Sequence, residues 1–178
     1  MTMLFRILTG MEVATGDVVT GWTEAISCFV SLAENALESD HVMKTSIRIA
    51  VADDEPDMRR FLYRVLTHEG HHVVAVAENG QQLIDACRSI PPDLVITGVE
   101  LPEMDGLQAI HEICRTNLVP AIIVSDNVNA ELLSRAGQEP VYAFLVKPIK
   151  MDDLRPAIWL AMHRFVEMNN LRLQLHTP

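Results

Sequence analysis

The 178-residue chain is short of basic residues: 14 lysines and arginines stand against 24 aspartates and glutamates, a formal charge of −10. A surface field of that sign repels phosphate backbones, so direct nucleic-acid binding is not expected. Cysteine is scarce too. Cys28, Cys87 and Cys114 make an odd number with no CxxC or metal-type spacing, which argues against a disulfide framework and fits a reduced, cytoplasmic setting. Long apolar runs are missing. The stretch 118–124 falls far short of the roughly 20 residues a membrane span needs, and residues 1–8 are too few for a signal-peptide core, so no membrane contact is expected. What the chain does have is 49% apolar against 21% charged residues, the usage of a folded protein with one sizeable core and an appendage.

Residues 1–45 read as an N-terminal extension, expected to be poorly ordered. Trp22, Ile26, Phe29, Val30, Ala33 and Leu37 line one face of a short helix, and the segment carries six acids against two bases. Two readings stay open: an upstream-extended start, with Met43 just before the first strand signal, or a small docking segment.

From residue 46 the pattern becomes regular. Short apolar runs at 47–52, 72–77, 94–97, 121–124 and 142–146 alternate with amphipathic stretches of helical period, the signature of successive βαβ units. The expected fold is α/β, a doubly wound five-stranded parallel sheet of flavodoxin-like (βα)5 topology, over 46–165. The first helix has Asp54 or Glu55 near its cap and Pro56 in its first turn, and Gly70 ends it. The second runs from about Gly80 to the stop at Pro91 and Pro92, the third follows Gly106, and the fourth spans about 129–136. The last helix runs past Pro156, placed near its first turn, to about Leu175. Leu154, Ile158, Ala161, Phe165 and Met168 form a heptad-like seam along it. Residues 166–178 are therefore read as an overhang and tail.

In an open parallel sheet the loops after the strands converge on one crevice. Here those positions carry Asp53-Asp54-Glu55 after the first strand and the stretch 98–106 after the third. Ser125-Asp126 follow the fourth, and Lys147-Pro148 the fifth. Acids, a hydroxyl and a lysine meet at one rim. The bland alternative makes Asp53 and Asp54 helix caps and Lys147 their counter-ion. The turn 102–106 is read as structural, with Gly106 supplying unusual backbone angles and Asp105 capping the third helix. The seven histidines have no metal-type spacing and are expected at the surface or at helix ends.

The segments 51–56, 92–97, 101–106, 122–125 and 144–148 together resemble the receiver domain of two-component response regulators. The resemblance implies that Asp53 and Asp54 hold Mg²⁺. It implies also that Ser125 and Lys147, with Pro148 beside it, contact a phosphoryl group and that Phe144 reports the switch. In that family an aspartate ending the third strand accepts the phosphoryl group; here the position is Gly98. With no side chain there, no catalytic residue is assigned, Mg²⁺ affinity should be weakened, and the chain is not expected to be an enzyme. Glu100 is displaced from that place by roughly 6 Å of extended chain, too far to substitute.

Residues 147–149, 153–158, 164–167 and 171–172 look, more narrowly, like the receiver-to-linker region of ANTAR-type antitermination regulators. That family continues into a coiled coil and an RNA-binding module, and the sequence in hand stops at Pro178, so that output is not expected. The resulting expectation is a pseudo-receiver acting by protein association, as a homodimer or with a sensor kinase or other regulator. Phe165, Met168 and Leu171 would be its contact residues. The rival is a phosphorylatable switch that uses another carboxylate or a native aspartate at 98, linked to transcription antitermination. A flavodoxin-like enzyme finds no cofactor loop, nucleophile elbow or catalytic histidine to support it.

Overall fold

The computed structural model describes residues 46–175. The short helix expected at 22–37, the rest of the N-terminal extension, and residues 176–178 lie outside the described residues. Among the described residues five strands and five helices alternate: β1 (Arg48–Ala52), α1 (Pro56–His68), β2 (His72–Ala77), α2 (Gly80–Ser89), β3 (Leu94–Gly98), α3 (Gly106–Cys114), β4 (Ala121–Ser125), α4 (Ala130–Ala136), β5 (Val141–Val146) and α5 (Met151–Leu175). All strand pairs are parallel, in the order β2-β1-β3-β4-β5. The expected doubly wound five-stranded fold is present, with boundaries moved by one residue at several strand ends.

Burial explains the composition of the strands. The inner strands β1, β3 and β4 are buried along nearly their whole length, and the edges β2 and β5 only in part. Side chains alternate between two cores. Ile49, Val51, Ile96 and Ile122 face α1 and α5, packing with Leu62, Leu66, Leu154 and Ile158. Ala50, Ala52, Val95 and Ile123 face the other layer, where Leu83, Ile110 and Leu132 of α2, α3 and α4 meet them. Arg48 closes one end of the sheet, its guanidinium donating to both carboxylate oxygens of Asp93 at 2.8 and 3.2 Å.

Helix ends follow their sequence signals. Asn79, Asp105 and Asn129 each accept a backbone N–H three residues on, at 2.8–2.9 Å, capping α2, α3 and α4. Pro56 is the first residue of α1, and Gly70, at φ +88°, takes the left-handed conformation that ends it. Two expectations need correction. Pro156 lies in the second turn of α5, because the helix begins five residues earlier, at Met151, where Asp153 accepts the Lys150 N–H at 2.8 Å. In the turn 102–106 it is Glu103 that has positive φ, +67°. Gly106 is required for close approach instead: a Cβ there would collide with the Gly98 carbonyl oxygen and stand 2.9 Å from the Thr97 hydroxyl.

The fifth helix outgrows the sheet. At about 1.5 Å per residue its 25 residues reach about 37 Å, whereas β5, with six residues, spans about 20 Å. Its buried contacts end near Ala161 and Met162. Because α5 runs antiparallel to β5, the excess leaves at the end where the strands begin.

Gly106→Ala should lower stability by about 1–3 kcal/mol, since backbone at both ends of the loop must shift to admit a methyl group. Urea unfolding of the two proteins measures it.

Candidate functional site

The strand order reverses between β1 and β3, and the loops leaving their carboxyl ends open into a crevice there. Ala52 lies opposite Thr97 in the register, so the next residues, Asp53 and Gly98, face each other across the crevice. Asp53, Asp54, Glu55, Gly98, Ser125 and Lys147 line one cleft of about 360 Å³. The structure thus brings together the expected acids, hydroxyl and lysine.

Asp53 is the most confined of these groups. Its side chain has no exposure; Oδ1 accepts the Glu55 N–H at 3.0 Å, and Oδ2 has no hydrogen-bond partner. The missing side chain at 98 lies beside that oxygen, for a Cβ on Gly98 would stand 3.2 Å from Asp53 Oδ2. Burial pushes the Asp53 carboxyl above the usual carboxylate range, against the opposing pull of the Glu55 N–H and the Lys147 charge.

Lys147 reaches into the same corner. Its Nζ lies 3.3 Å from Asp53 Oδ2 and 2.6 Å from Glu55 Oε1. Burial pulls the ammonium down, but its hydrogen bond to Glu55 and the neighbouring Asp53 charge together hold it above the ordinary lysine range. The expected pairing with Asp53 is there, while the tighter partner is Glu55 rather than Asp54. The sequence carried a signal for this. Glu55 occupies the N-cap of α1, a place glutamate serves poorly, and its side chain makes no capping bond, which leaves it to turn toward Lys147. Arg59 is a second residue that the sequence reading missed. Its Nη1 donates to the carbonyls of Asp53 at 2.7 Å and Asp54 at 2.9 Å, clamping the acidic loop to α1.

The remaining rim positions are partly engaged. Ser125 Oγ donates to the Asn127 carbonyl at 2.7 Å. Phe144 is half-buried against the α2–α3–α4 core, and Pro148 is exposed beyond a cis Lys147-Pro148 bond. Glu100 lies exposed at the cleft edge. Asp105 pairs with Arg135 of α4, tying the β3–α3 loop to that helix. On α5, the Phe165 ring packs edge-on against Tyr142, with centroids 6.1 Å apart, so it is half spent inside the domain. Met168 and Leu171 are exposed. Among the described residues, His68, His72, His111 and His163 are exposed as expected, whereas His71 is half-buried with Nδ1 unpartnered; His41 and His176 lie outside the described residues.

One oxygen each of Asp53, Asp54 and Glu55 lies within 4.8 Å of the others, so the donor set fits a hard cation. No helix among the described residues is long and apolar enough to cross a membrane.

An open parallel sheet with acids, a hydroxyl and a lysine at its switch point is the architecture of a receiver domain. Comparison with known proteins agrees. Residues 49–159 match the response regulator receiver domain, and the chain belongs to that family. It is 35% identical over 130 residues to "Transcriptional regulatory protein PdtaR" of Mycobacterium tuberculosis, covering 73% of this chain and 63% of that protein. It is also 35% identical over 112 residues to "Chemotaxis protein CheY" of Bacillus subtilis, covering 62% of this chain and 93% of CheY. The solved structure of chemotaxis protein CheY4 from Vibrio cholerae aligns with a TM-score of 0.62 at 16% identity, over 66% of this chain and 99% of that one, which speaks for the fold alone. The chain thus spans less than two thirds of PdtaR, and the receiver domain is related to those of ANTAR-type regulators.

Asp53→Asn provides a test of the burial cost. A carboxyl raised by folding is stabilised relative to the unfolded chain as pH falls through its folded value, an effect complete below the unfolded value near 3.9. In metal-free buffer, the wild type should therefore gain stability relative to Asp53→Asn between neutral pH and about pH 4, as read by urea unfolding. A constant difference would mean that Lys147 and the Glu55 N–H cancel the burial.

Proposed function

We propose that this chain is a pseudo-receiver: a receiver scaffold in two-component signalling that acts by association with other proteins and carries no phosphoryl group of its own. The observation that carries the reading is Gly98, at the end of β3 and directly opposite Asp53, where the family places its acceptor. The rest of the rim is consistent with it. The groups that would contact a phosphoryl oxygen are turned to the chain's own atoms, Lys147 to Glu55 and Ser125 to the Asn127 carbonyl. Asp53 and Asp54 would hold Mg²⁺, weakly for want of an acid at 98, and the ion would supply charge neutralisation there. On this reading the protein turns over no substrate.

The partner face is the end of the molecule where α5 outgrows the sheet. The seam buried as Leu154, Ile158 and Ala161 runs on through half-buried Phe165 to exposed Met168, with exposed Leu171 one turn further. An apolar stripe on an extended helix favours a second helix, and a second copy of this chain supplies one. Receiver domains engage sensor kinases and other regulators, and either is the alternative occupant. The transcriptional role printed for PdtaR favours a regulatory partner.

Two outcomes are expected. Incubated with Mg²⁺ and a small phosphoryl donor, the wild type should show no phosphoryl mass gain, whereas Gly98→Asp should gain one group; a modified carboxylate in the wild type would overturn the reading. Met168→Glu together with Leu171→Glu should shift sedimentation toward monomer with little change in unfolding, and a wild type that is monomeric at high concentration rules out the homodimer.

A further inference from the structure

A groove of about 480 Å³ runs between α1 and β2, lined by Pro56, Arg59, Arg60, Tyr63, Arg64 and Val76. Three of those residues are arginines and none is an acid, on a chain whose formal charge is −10. Between the arginines the groove is apolar. Tyr63 and Val76 are 48% and 49% exposed, and β2 is an edge strand bonded to β1 alone, so no further strand covers them.

The fold gives no internal reason for grouping these cations. Arg60 and Arg64 stand one turn apart on the same side of α1, a like-charge spacing that weakens a helix. Arg60 pairs with Asp57, but both side chains are exposed, and such a pair adds little stability. Arg59 is spent on the acidic loop and reaches Glu78 at 3.8 Å. Arg64 is exposed and has no hydrogen-bond or ion-pair partner among the described residues. The positive charge of the groove is therefore least compensated at its Arg64 end.

We propose that this groove docks an acidic segment of another protein, which sets an apolar side chain between Tyr63 and Val76 and carboxylates against Arg60 and Arg64. Charge complementarity selects that occupant. A second copy of this chain using the same groove would set arginines against arginines, which excludes a symmetric dimer here. A nucleic acid would gain nothing from the apolar part and would meet the repulsion of the surrounding acidic surface. The groove lies at the β2 edge of the sheet, whereas α5 packs on β5 at the opposite edge. It is thus a second surface, independent of the residue at 98 and of association through α5, and either can fail without the other.

Selection of displayed random short peptides on the full chain tests this. The peptides recovered should carry carboxylates flanking an aromatic or branched apolar residue. Their affinity, read by fluorescence anisotropy, should fall about tenfold in Arg60→Glu combined with Arg64→Glu, and should weaken as salt is raised. On peptide addition the Val76 methyl and Tyr63 ring resonances should shift while the Met168 methyl stays in place. Arg64→Glu alone should bind more weakly yet unfold in urea no earlier than the wild type, because it removes a like-charge pair; earlier unfolding would give Arg64 a role inside the fold and refute the proposal. Recovery of no peptide above background, peptides without acids, equal affinity for the charge-reversed variant, or shifts at Met168 in place of Val76 would each overturn it. So would tighter binding of a single-stranded oligonucleotide than of the selected peptides, or self-association that Arg64→Glu abolishes.

Discussion

A negative charge with no exposure to water sits at the end of β1, and the neighbouring chain is arranged around that fact. Removing a carboxylate from water costs several kcal/mol even after relaxation, and leaving one unpaired by deleting its partner costs about 3–5 kcal/mol. Asp53 persists because one oxygen takes the Glu55 N–H and because Lys147 arrives from β5, 94 residues away in sequence. That ion pair joins the end of an inner strand, β1, to the end of an edge strand, β5, across the cleft. It also explains the order of the rim. Glu55 is drawn onto the lysine, Arg59 holds the two carbonyls behind the acids, and the beginning of α1 is fixed by charge where a side-chain cap is missing.

Replacing an acid by glycine at 98 leaves this scaffold intact for a local reason. The loop from β3 to α3 takes its shape from groups other than the side chain at 98. Val99 donates to the Val124 carbonyl at 3.2 Å, Gly106 donates to Val99 at 2.9 Å, and the Thr97 hydroxyl donates to the Gly98 carbonyl at 3.1 Å. Asp105 caps α3 and pairs with Arg135 at the loop's far end. The tightest constraint is on Gly106, whose bare α-carbon lies against the Gly98 carbonyl. Chemistry at 98 and architecture around it are therefore separable.

Most of the fold was legible because it rests on local signals. Apolar runs marked the strands, and Pro56, Gly70, Gly80, Asp105 and Asn129 punctuated the helices. The positions of Asp53, Gly98, Ser125 and Lys147 at one rim followed from the parallel topology. What the sequence hid were choices settled by three-dimensional competition. Nothing in the order Asp-Asp-Glu says which acid the distant lysine prefers, since that depends on which side chains already have partners. The roles of Glu103 and Gly106 were exchanged for a similar reason: close approach of two loop ends is invisible along the chain. Pro156 was placed near the first turn of α5 and lies in the second, because Asp153 bonding back to Lys150 sets the start at Met151.

The two unusual features of the molecule lie at opposite ends of the sheet. The acidic rim is where the strands finish, and the surplus of α5 leaves where they begin. Strand β5 and helix α5 form the physical connection between them. Lys147 follows β5 directly, Tyr142 near its start carries Phe165, and Leu145 between them packs in the same core as Leu154 and Ile158. A change in what Lys147 holds is therefore a change at one end of the element whose other end supports the exposed stripe. Because β5 is an edge strand, with one hydrogen-bonded neighbour and only partial burial, it has less packing to resist such a shift than the inner strands have.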